Sequence, residues 1–138
     1  MEEKRKKVMV FGVFDRLHPG HLDFLRQARE HGDELIVVVA RDRAVMELKN
    51  KTPFHSEAER LAAVQDVPEV THAVLGDEVQ GSYGVIAAHK PDVICVGYDQ
   101  HGLAEDLNNK TMSGCISSPT IVRLESHYPY KFHTSHLN

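Results

Sequence analysis

The chain has 138 residues, of which 41% are hydrophobic and 26% charged, and its formal net charge is −4. These values are ordinary for a folded protein, and we expect a single domain over residues 1–138. The weakly negative charge argues against nucleic acid as a partner, and no apolar run is long enough for a membrane span, so a cytoplasmic protein is expected.

Five short runs rich in β-branched and other apolar residues predict five strands. Continuous apolar runs are typical of strands that are buried on both faces, as in parallel sheets. Such strands need helices between them, so the alternation of strands and helices predicts a doubly wound parallel sheet. In chain order the predicted strands are Val8–Phe11, Leu35–Ala40, Thr71–Leu75, Val93–Val96 and Thr120–Leu124.

Helical patterns occupy three of the intervals between these strands. The first helix is expected to begin at Pro19 or Gly20, because the nitrogen of a proline at the first helical position needs no hydrogen-bond partner. The second helix opens at a capping box, Ser56–Glu59, and the third covers Tyr83–His89. The inward face of the second helix is predicted to contain Ala58, Leu61 and Ala62.

Polar segments follow three of the predicted strands. In an open parallel sheet, ligands bind beyond the carboxyl ends of the strands, near the point where the strand order reverses. The segments at these ends are residues 12–21, 40–51 and 97–100. We therefore expect the functional site among them.

Two histidines three residues apart, His18 and His21, lie where the first strand passes into the first helix. A helix N-terminus favours anions, because its free N–H groups and its dipole point the same way. Gly20 allows the backbone to approach a ligand, and the imidazoles add hydrogen-bond donors, so this turn predicts a phosphate site. A zinc site at the same histidines would need a third ligand, for which Asp15 and Asp99 are the candidates.

The pattern Gly-x-Phe-Asp-x-x-His-x-Gly-His over residues 12–21 resembles the motif of the cytidylyltransferase-like nucleotidyltransferase superfamily. The resemblance implies a Rossmann-like three-layer α/β/α fold with a five-stranded parallel sheet, and two histidines that act on the triphosphate. Many members have threonine where this chain has Val13, so a hydroxyl contact is lost there. The nucleotide-binding residues that the motif implies are Gly12, Val13, Phe14, Asp15, His18, Pro19, Gly20 and His21, with both histidines catalytic.

A basic stretch follows the second strand, with Lys49 and Lys51 on a predicted loop and Arg60 one turn inside the next helix. Lysine acts as a point charge and arginine as a bidentate fork, so together they can hold an acceptor phosphate and the departing pyrophosphate. The alternative is a solvated basic loop. The stretch resembles that of glycerol-3-phosphate cytidylyltransferases and archaeal FAD synthases, which implies catalytic roles for Lys49 and Arg60. The acceptor-binding residues implied in the same way are Lys49, Lys51 and Arg60. Asp42 joins them because the Ala-Arg-Asp run after the second strand also resembles the archaeal FAD synthases.

Gly97 ends the fourth strand and Asp99 follows it, where the base or ribose of a nucleotide is expected. The Gly-Tyr-Asp-Gln run is similar to that of archaeal FAD synthases, in which the matching aspartate contacts ATP. The alternative for Asp99 is a turn-capping role. Thr134 and Ser135 resemble a threonine/serine pair that opens a helix under the phosphates in this superfamily, and the alternative for them is a truncated or frayed tail. Nucleotide binding is thus expected of Gly97, Asp99, Thr134 and Ser135.

These features together predict a nucleotidyltransferase that transfers AMP from ATP to FMN, giving FAD and pyrophosphate. Mg²⁺ or another divalent cation is expected to bridge the phosphates near Asp15. Two alternatives stay open: a CTP-dependent enzyme that acts on glycerol 3-phosphate or another small phosphate or phosphonate, and a regulatory domain that binds nucleotide without turnover. The expected partners are a nucleoside triphosphate, a phosphate-bearing small molecule and, as in related enzymes, a second copy of the chain in a homodimer.

Overall fold

Strands and helices alternate along the computed structural model, which describes residues 5–78, 83–114 and 119–125. Within these residues there are five strands and five helices. In chain order they are β1 (Lys7–Gly12), α1 (Pro19–Arg29), β2 (Glu34–Val39), α2 (Asp42–Lys49), α3 (Glu57–Gln65), β3 (His72–Leu75), α4 (Gly84–His89), β4 (Val93–Val96), α5 (His101–Met112) and β5 (Thr120–Arg123).

The strands form one parallel sheet in the order β3-β2-β1-β4-β5. Strand β1 is central and pairs with β2 on one side, from Lys7↔Glu34 to Gly12↔Val39. On its other side β1 pairs with β4, at Val8↔Val93 and Met9↔Ile94. The strand order therefore reverses at β1, so the ligand-binding end of the sheet lies between the carboxyl ends of β1 and β4.

The core has two layers, one on each face of the sheet. Alternate residues of β1 divide between them, with Val8 and Val10 in the first cluster and Met9 in the second, as the two-residue period of a strand requires. Helices α1 and α3 contribute to the first cluster and α4 and α5 to the second. The predicted three-layer α/β/α architecture with a five-stranded parallel sheet is confirmed. Helical residues that carry this packing are Leu25, Ala28 and Val64 on one face and Ile86, Ala104 and Leu107 on the other.

The inward face of α3 differs from the prediction, although its start is as expected. The capping box is complete, with the Ser56 hydroxyl accepting from Glu59 N at 3.2 Å and the Glu59 carboxylate accepting from Ser56 N at 2.9 Å. The buried residues of the helix are Arg60 and Val64, whereas the predicted Ala58 and Ala62 are exposed and Leu61 is partly buried. The apolar pattern misleads here because a cation, Arg60, occupies the centre of the buried face.

A helix that the sequence did not predict, α2, covers Asp42–Lys49. Lys49 was expected on a loop, but it is the last residue of this helix. Lys51 lies in the loop before α3, as expected. The N-cap residue of α2, Arg41, makes no side-chain cap hydrogen bond. The N–H of Asp42 donates instead to the carboxylate of Glu57, on another helix, at 2.9 Å. A helix without a capping residue and with few turns leaves a weak pattern in the sequence.

Candidate functional site

The carboxyl ends of β1 and β4 meet beside the point where the strand order reverses. Continuing the Val8↔Val93 register by four residues places Gly12 level with Gly97. The side-chain amide of Gln100 joins these ends, since its oxygen accepts from Gly97 N at 2.7 Å and its nitrogen donates to Phe11 O at 2.9 Å. Gln100 was not predicted as a site residue. An amide side chain three residues after a strand-ending glycine is the pattern that could have indicated it.

The turn from β1 into α1 brings the two histidines together. His18 is the N-cap of α1, and its Nδ1 accepts a hydrogen bond from His21 N at 3.3 Å. Pro19 occupies the first position of the helix, as predicted. The imidazole rings of His18 and His21 stack with their centroids 3.7 Å apart and their planes 15° apart. The predicted pair thus forms one stacked unit at a helix N-terminus, where an anion is favoured, with His18 partly buried and His21 buried.

The protonation of His18 follows from its surroundings. Partial burial lowers the pKa of this imidazole from its ordinary value, because the charged form loses hydration. Acceptance of a hydrogen bond at Nδ1 also requires that nitrogen to be unprotonated, so the neutral ring has its proton on Nε2. His18 therefore caps its helix through Nδ1, while Nε2 carries the proton of the neutral ring.

Phe14 supports this turn from within the core. Its side chain is 3% exposed, and its ring contacts that of His21 edge to face, with centroids 5.5 Å apart. A Cβ added at Gly12 would come within 2.6 Å of the Phe14 ring, so glycine at this position makes room for that ring. Val13 is also buried. Phe14 and Val13 can accordingly meet a nucleotide only through their backbone.

Asp15 connects the histidine turn to the loop that precedes α3. Its two carboxylate oxygens accept from Phe54 N at 2.6 Å and from His55 N at 2.9 Å. Charge-assisted hydrogen bonds of this kind are roughly twice as strong as neutral ones. The loop that carries Lys51 is thereby held against the turn that carries His18.

Arg60 is a buried cation at the ends of the first two strands. Its side chain is 1% exposed, and its guanidinium donates to Val13 O at 3.0 Å and Ala40 O at 2.7 Å. It also donates to His55 O at 3.1 Å and forms an ion pair with Asp42 at 2.7 Å. Two of the four residues predicted to bind the acceptor, the buried Arg60 and the partly exposed Asp42, are thus paired with each other. Their direct contact with an acceptor stays a prediction.

The other predicted residues have simpler placements. Lys51 is exposed in the loop after α2, and Asp99 is exposed two residues after Gly97. The backbone of Lys49 ends α2, and its side chain lies outside the described part of the structure. Thr134 and Ser135 also lie outside the described residues. The histidine turn, the Lys51 loop and the segment after β4 therefore adjoin the same end of the sheet.

Within residues 5–78, 83–114 and 119–125, the side chains do not form a resident metal site. No group of three or more His, Cys, Asp or Glu side chains within the described ranges could hold a metal ion. Both oxygens of Asp15, the carboxylate expected near the metal, accept backbone N–H groups. This carboxylate therefore has a structural role in the protein.

Comparisons with known proteins agree with this geometry. The cytidylyltransferase-like family model matches residues 9–130. An FAD synthase from Methanocella arvoryzae is 39% identical over 127 residues, which cover 91% of this chain and 88% of the relative. An FAD synthase from Aciduliprofundum boonei is 50% identical over 94 residues, covering 68% and 62%. The crystal structure of a lipopolysaccharide core biosynthesis protein from Thermoplasma volcanium superposes with a TM-score of 0.82 and 37% identity, over 90% of this chain and 99% of that one.

Proposed function

The chain belongs to the cytidylyltransferase-like family, and on that premise we propose that it transfers AMP from ATP to FMN, releasing pyrophosphate and forming FAD. The observation that carries the proposal is the stacked His18–His21 pair at the start of α1, at the reversal point of the sheet. The FAD synthases at 39% and 50% identity support FMN as the acceptor.

Among the residues that the structure describes, no helix has the length and apolar character needed to cross a membrane.

The reaction is an in-line displacement at the α-phosphorus of ATP. An oxygen of the FMN phosphate attacks and forms the new P–O bond, while the bond to the β-phosphate oxygen breaks and pyrophosphate leaves with both electrons. Charge that develops on the phosphate oxygens is stabilised by donors already in place. We assign this role to the imidazoles of His18 and His21 and to the N-terminal end of α1.

Three side chains position the segments that surround the reacting phosphates. Gln100 fixes the segment after β4, Asp15 fixes the loop before α3, and Arg60 fixes the ends of β1 and β2. Asp99 is proposed at the adenosine end, and Lys51, with Lys49, at the acceptor phosphate and pyrophosphate. Electrostatic catalysis depends on donors held close to their productive positions, so these positioning contacts serve the chemistry without touching the substrate.

The divalent cation enters this proposal as part of the substrate. Mg²⁺ is commonly bound by substrate phosphates and water with one or two carboxylates. The Asp15 carboxylate accepts two backbone N–H groups, and we therefore propose that the cation arrives as the ATP complex. A homodimer, with a nucleoside triphosphate and a phosphate-bearing acceptor as its small-molecule partners, completes the proposal.

The test is pyrophosphate release in the presence of Mg²⁺, with ATP or CTP crossed against FMN or glycerol 3-phosphate. We expect release with ATP and FMN only, accompanied by FAD of the expected mass. Release with CTP and glycerol 3-phosphate would instead identify a cytidylyltransferase. Nucleotide binding without release in any combination would contradict the proposed activity and favour the regulatory alternative.

A further inference from the structure

An aromatic ring is exposed beside the histidine turn. Phe54 has 65% of its surface exposed, although the preceding Pro53 is buried. It lies in the same loop as Lys51, which connects α2 to α3. A large apolar side chain in water is informative when it adjoins a binding site, because a ligand can then cover it.

The position of this ring is fixed relative to the phosphate site. The backbone N–H of Phe54 is held by Asp15 at 2.6 Å, and the ring meets that of His55 edge to face, with centroids 4.7 Å apart. Asp15 precedes His18 by three residues, a segment that spans at most about 11 Å when extended. The ring is therefore anchored within the reach of a small molecule whose phosphate lies at His18.

A planar cation already stacks on the ring. The guanidinium carbon of Arg16 lies 3.7 Å from the centroid of the Phe54 ring, at the distance of a cation–π contact. Arg16 is exposed, and its backbone has φ of 63°, a conformation that non-glycine residues seldom adopt. The left-handed conformation sends the chain around the turn so that this side chain meets the Phe54 loop. Arg16 and Phe54 together form a flat stacking surface at the edge of the site.

The topology assigns this surface to one of the two substrates. Phe54 follows β2 and α2, whereas Gly97 and Asp99 follow β4, and β2 and β4 lie on opposite sides of β1. The adenosine of ATP is proposed on the β4 side. The other substrate, whose phosphate must also reach the histidines, is left with the β2 side.

We propose that Phe54 and Arg16 form the subsite for the planar ring system of the acceptor, the isoalloxazine of FMN, with Phe54 as the residue that distinguishes a flavin from a small aliphatic phosphate. This inference rests on the proposed function. The isoalloxazine stacks on Phe54, and the Arg16 guanidinium moves aside or covers the opposite face of the flavin. Aromatic stacking is tolerant of ring identity, so the specificity is for a flat ring and not for its hydrogen-bonding edge.

The test compares steady-state kinetics of Phe54→Ala and Phe54→Tyr, with Met112→Ala as a control at another exposed apolar side chain, at the end of α5. We expect Phe54→Ala to raise KM for FMN about tenfold, the usual scale for loss of one stacked ring, and to leave KM for ATP within about twofold. Phe54→Tyr keeps the ring and is expected to match the unmodified enzyme, as is Met112→Ala. Flavin fluorescence, quenched by stacking in the unmodified protein, is expected to be quenched less by Phe54→Ala.

The outcomes separate this inference from the proposed function. Absence of FAD formation by the unmodified protein would refute the proposed function itself. FAD formation with an unchanged KM for FMN in Phe54→Ala would refute only the subsite. A rise in KM for ATP alone would assign Phe54 to the adenine and overturn the inference. A change of oligomeric state on gel filtration, with KM for FMN unchanged, would make the ring a contact between subunits and overturn it as well.

Discussion

The turn between β1 and α1 and the connection between α2 and α3 both bring basic side chains to the same end of the sheet, but they use them differently. In the turn, His18 and His21 stack on each other at a helix start, where an anion is favoured. In the connection, the guanidinium of Arg60 donates hydrogen bonds to three backbone carbonyls and to Asp42. Placement near a site is therefore not the same as facing it. Arg60 is structural because it supplies donors to the carbonyls of Val13, Ala40 and His55.

The largest expected effect of a substitution is at the histidine turn. We expect His18→Ala and His21→Ala each to lower turnover by on the order of a thousandfold, because each removes a preorganised donor to the phosphate oxygens. The measurement is pyrophosphate release at saturating ATP and FMN, with folding checked by circular dichroism. His31→Ala is the matched control, since His31 is exposed in the segment after α1. Unchanged turnover in both turn variants would exclude the proposed role of the pair.

A smaller effect, on the free energy of unfolding, is expected at Arg60, the buried cation of the connection between α2 and α3. Arg60→Ala is predicted to reduce the free energy of unfolding by about 3 kcal/mol, because it leaves strand-end carbonyls without donors and Asp42 without its ion pair. Arg43 offers a matched arginine, paired with Glu47 on the surface of α2, and Arg43→Ala is expected to cost about 0.5 kcal/mol or less. Urea unfolding measures both.

The result for Arg60 also decides between structural and direct roles. If Arg60→Ala unfolds at the same urea concentration as the unmodified protein but has a greatly raised KM for FMN, the residue binds the acceptor directly, as the sequence predicted. If Arg60→Ala instead lowers the free energy of unfolding and does not raise KM for FMN selectively, the result supports the positioning role.

The smallest effect is a pH dependence of stability that comes from His18. Its pKa is lowered in the folded protein, chiefly by burial, so the unfolded chain binds the proton more readily. The stabilisation is complete above the ordinary histidine pKa of about 6.5 and is lost as the pH falls below it. His18→Asn keeps an acceptor for the helix cap and cannot titrate in this range, so its melting temperature should fall less between pH 7 and pH 5. Parallel curves for the two proteins would contradict the assignment.

The strands could be predicted closely from the sequence, and the helices less so. β2 is an almost continuous β-branched run that is buried on both faces, so its pattern is unambiguous. α1 and α3 have proline or a capping box at their starts, which fix one end of each. α2 has neither, and it is therefore visible only once tertiary contacts place Val45 in the core.

The candidate site could be predicted where its chemistry is local in sequence. His18 and His21 are one helical turn apart, so their proximity follows from the spacing alone. The contacts of Arg60 with Val13 and of Gln100 with Phe11 join residues 47 and 89 positions apart. Such contacts depend on the strand order, which the residues at either end do not specify.

The placement of Arg60 also bears on whether the histidine turn can be transplanted. Protein engineers who graft a short motif assume that its geometry travels with its residues. Here the carbonyl of Val13, inside the motif, is held by an arginine on a helix that begins more than forty residues later, and that arginine is balanced by Asp42 on yet another helix. A grafted decapeptide would arrive without this support. A graft of the turn therefore has to bring at least the stretch from β1 through α3, residues 7–65.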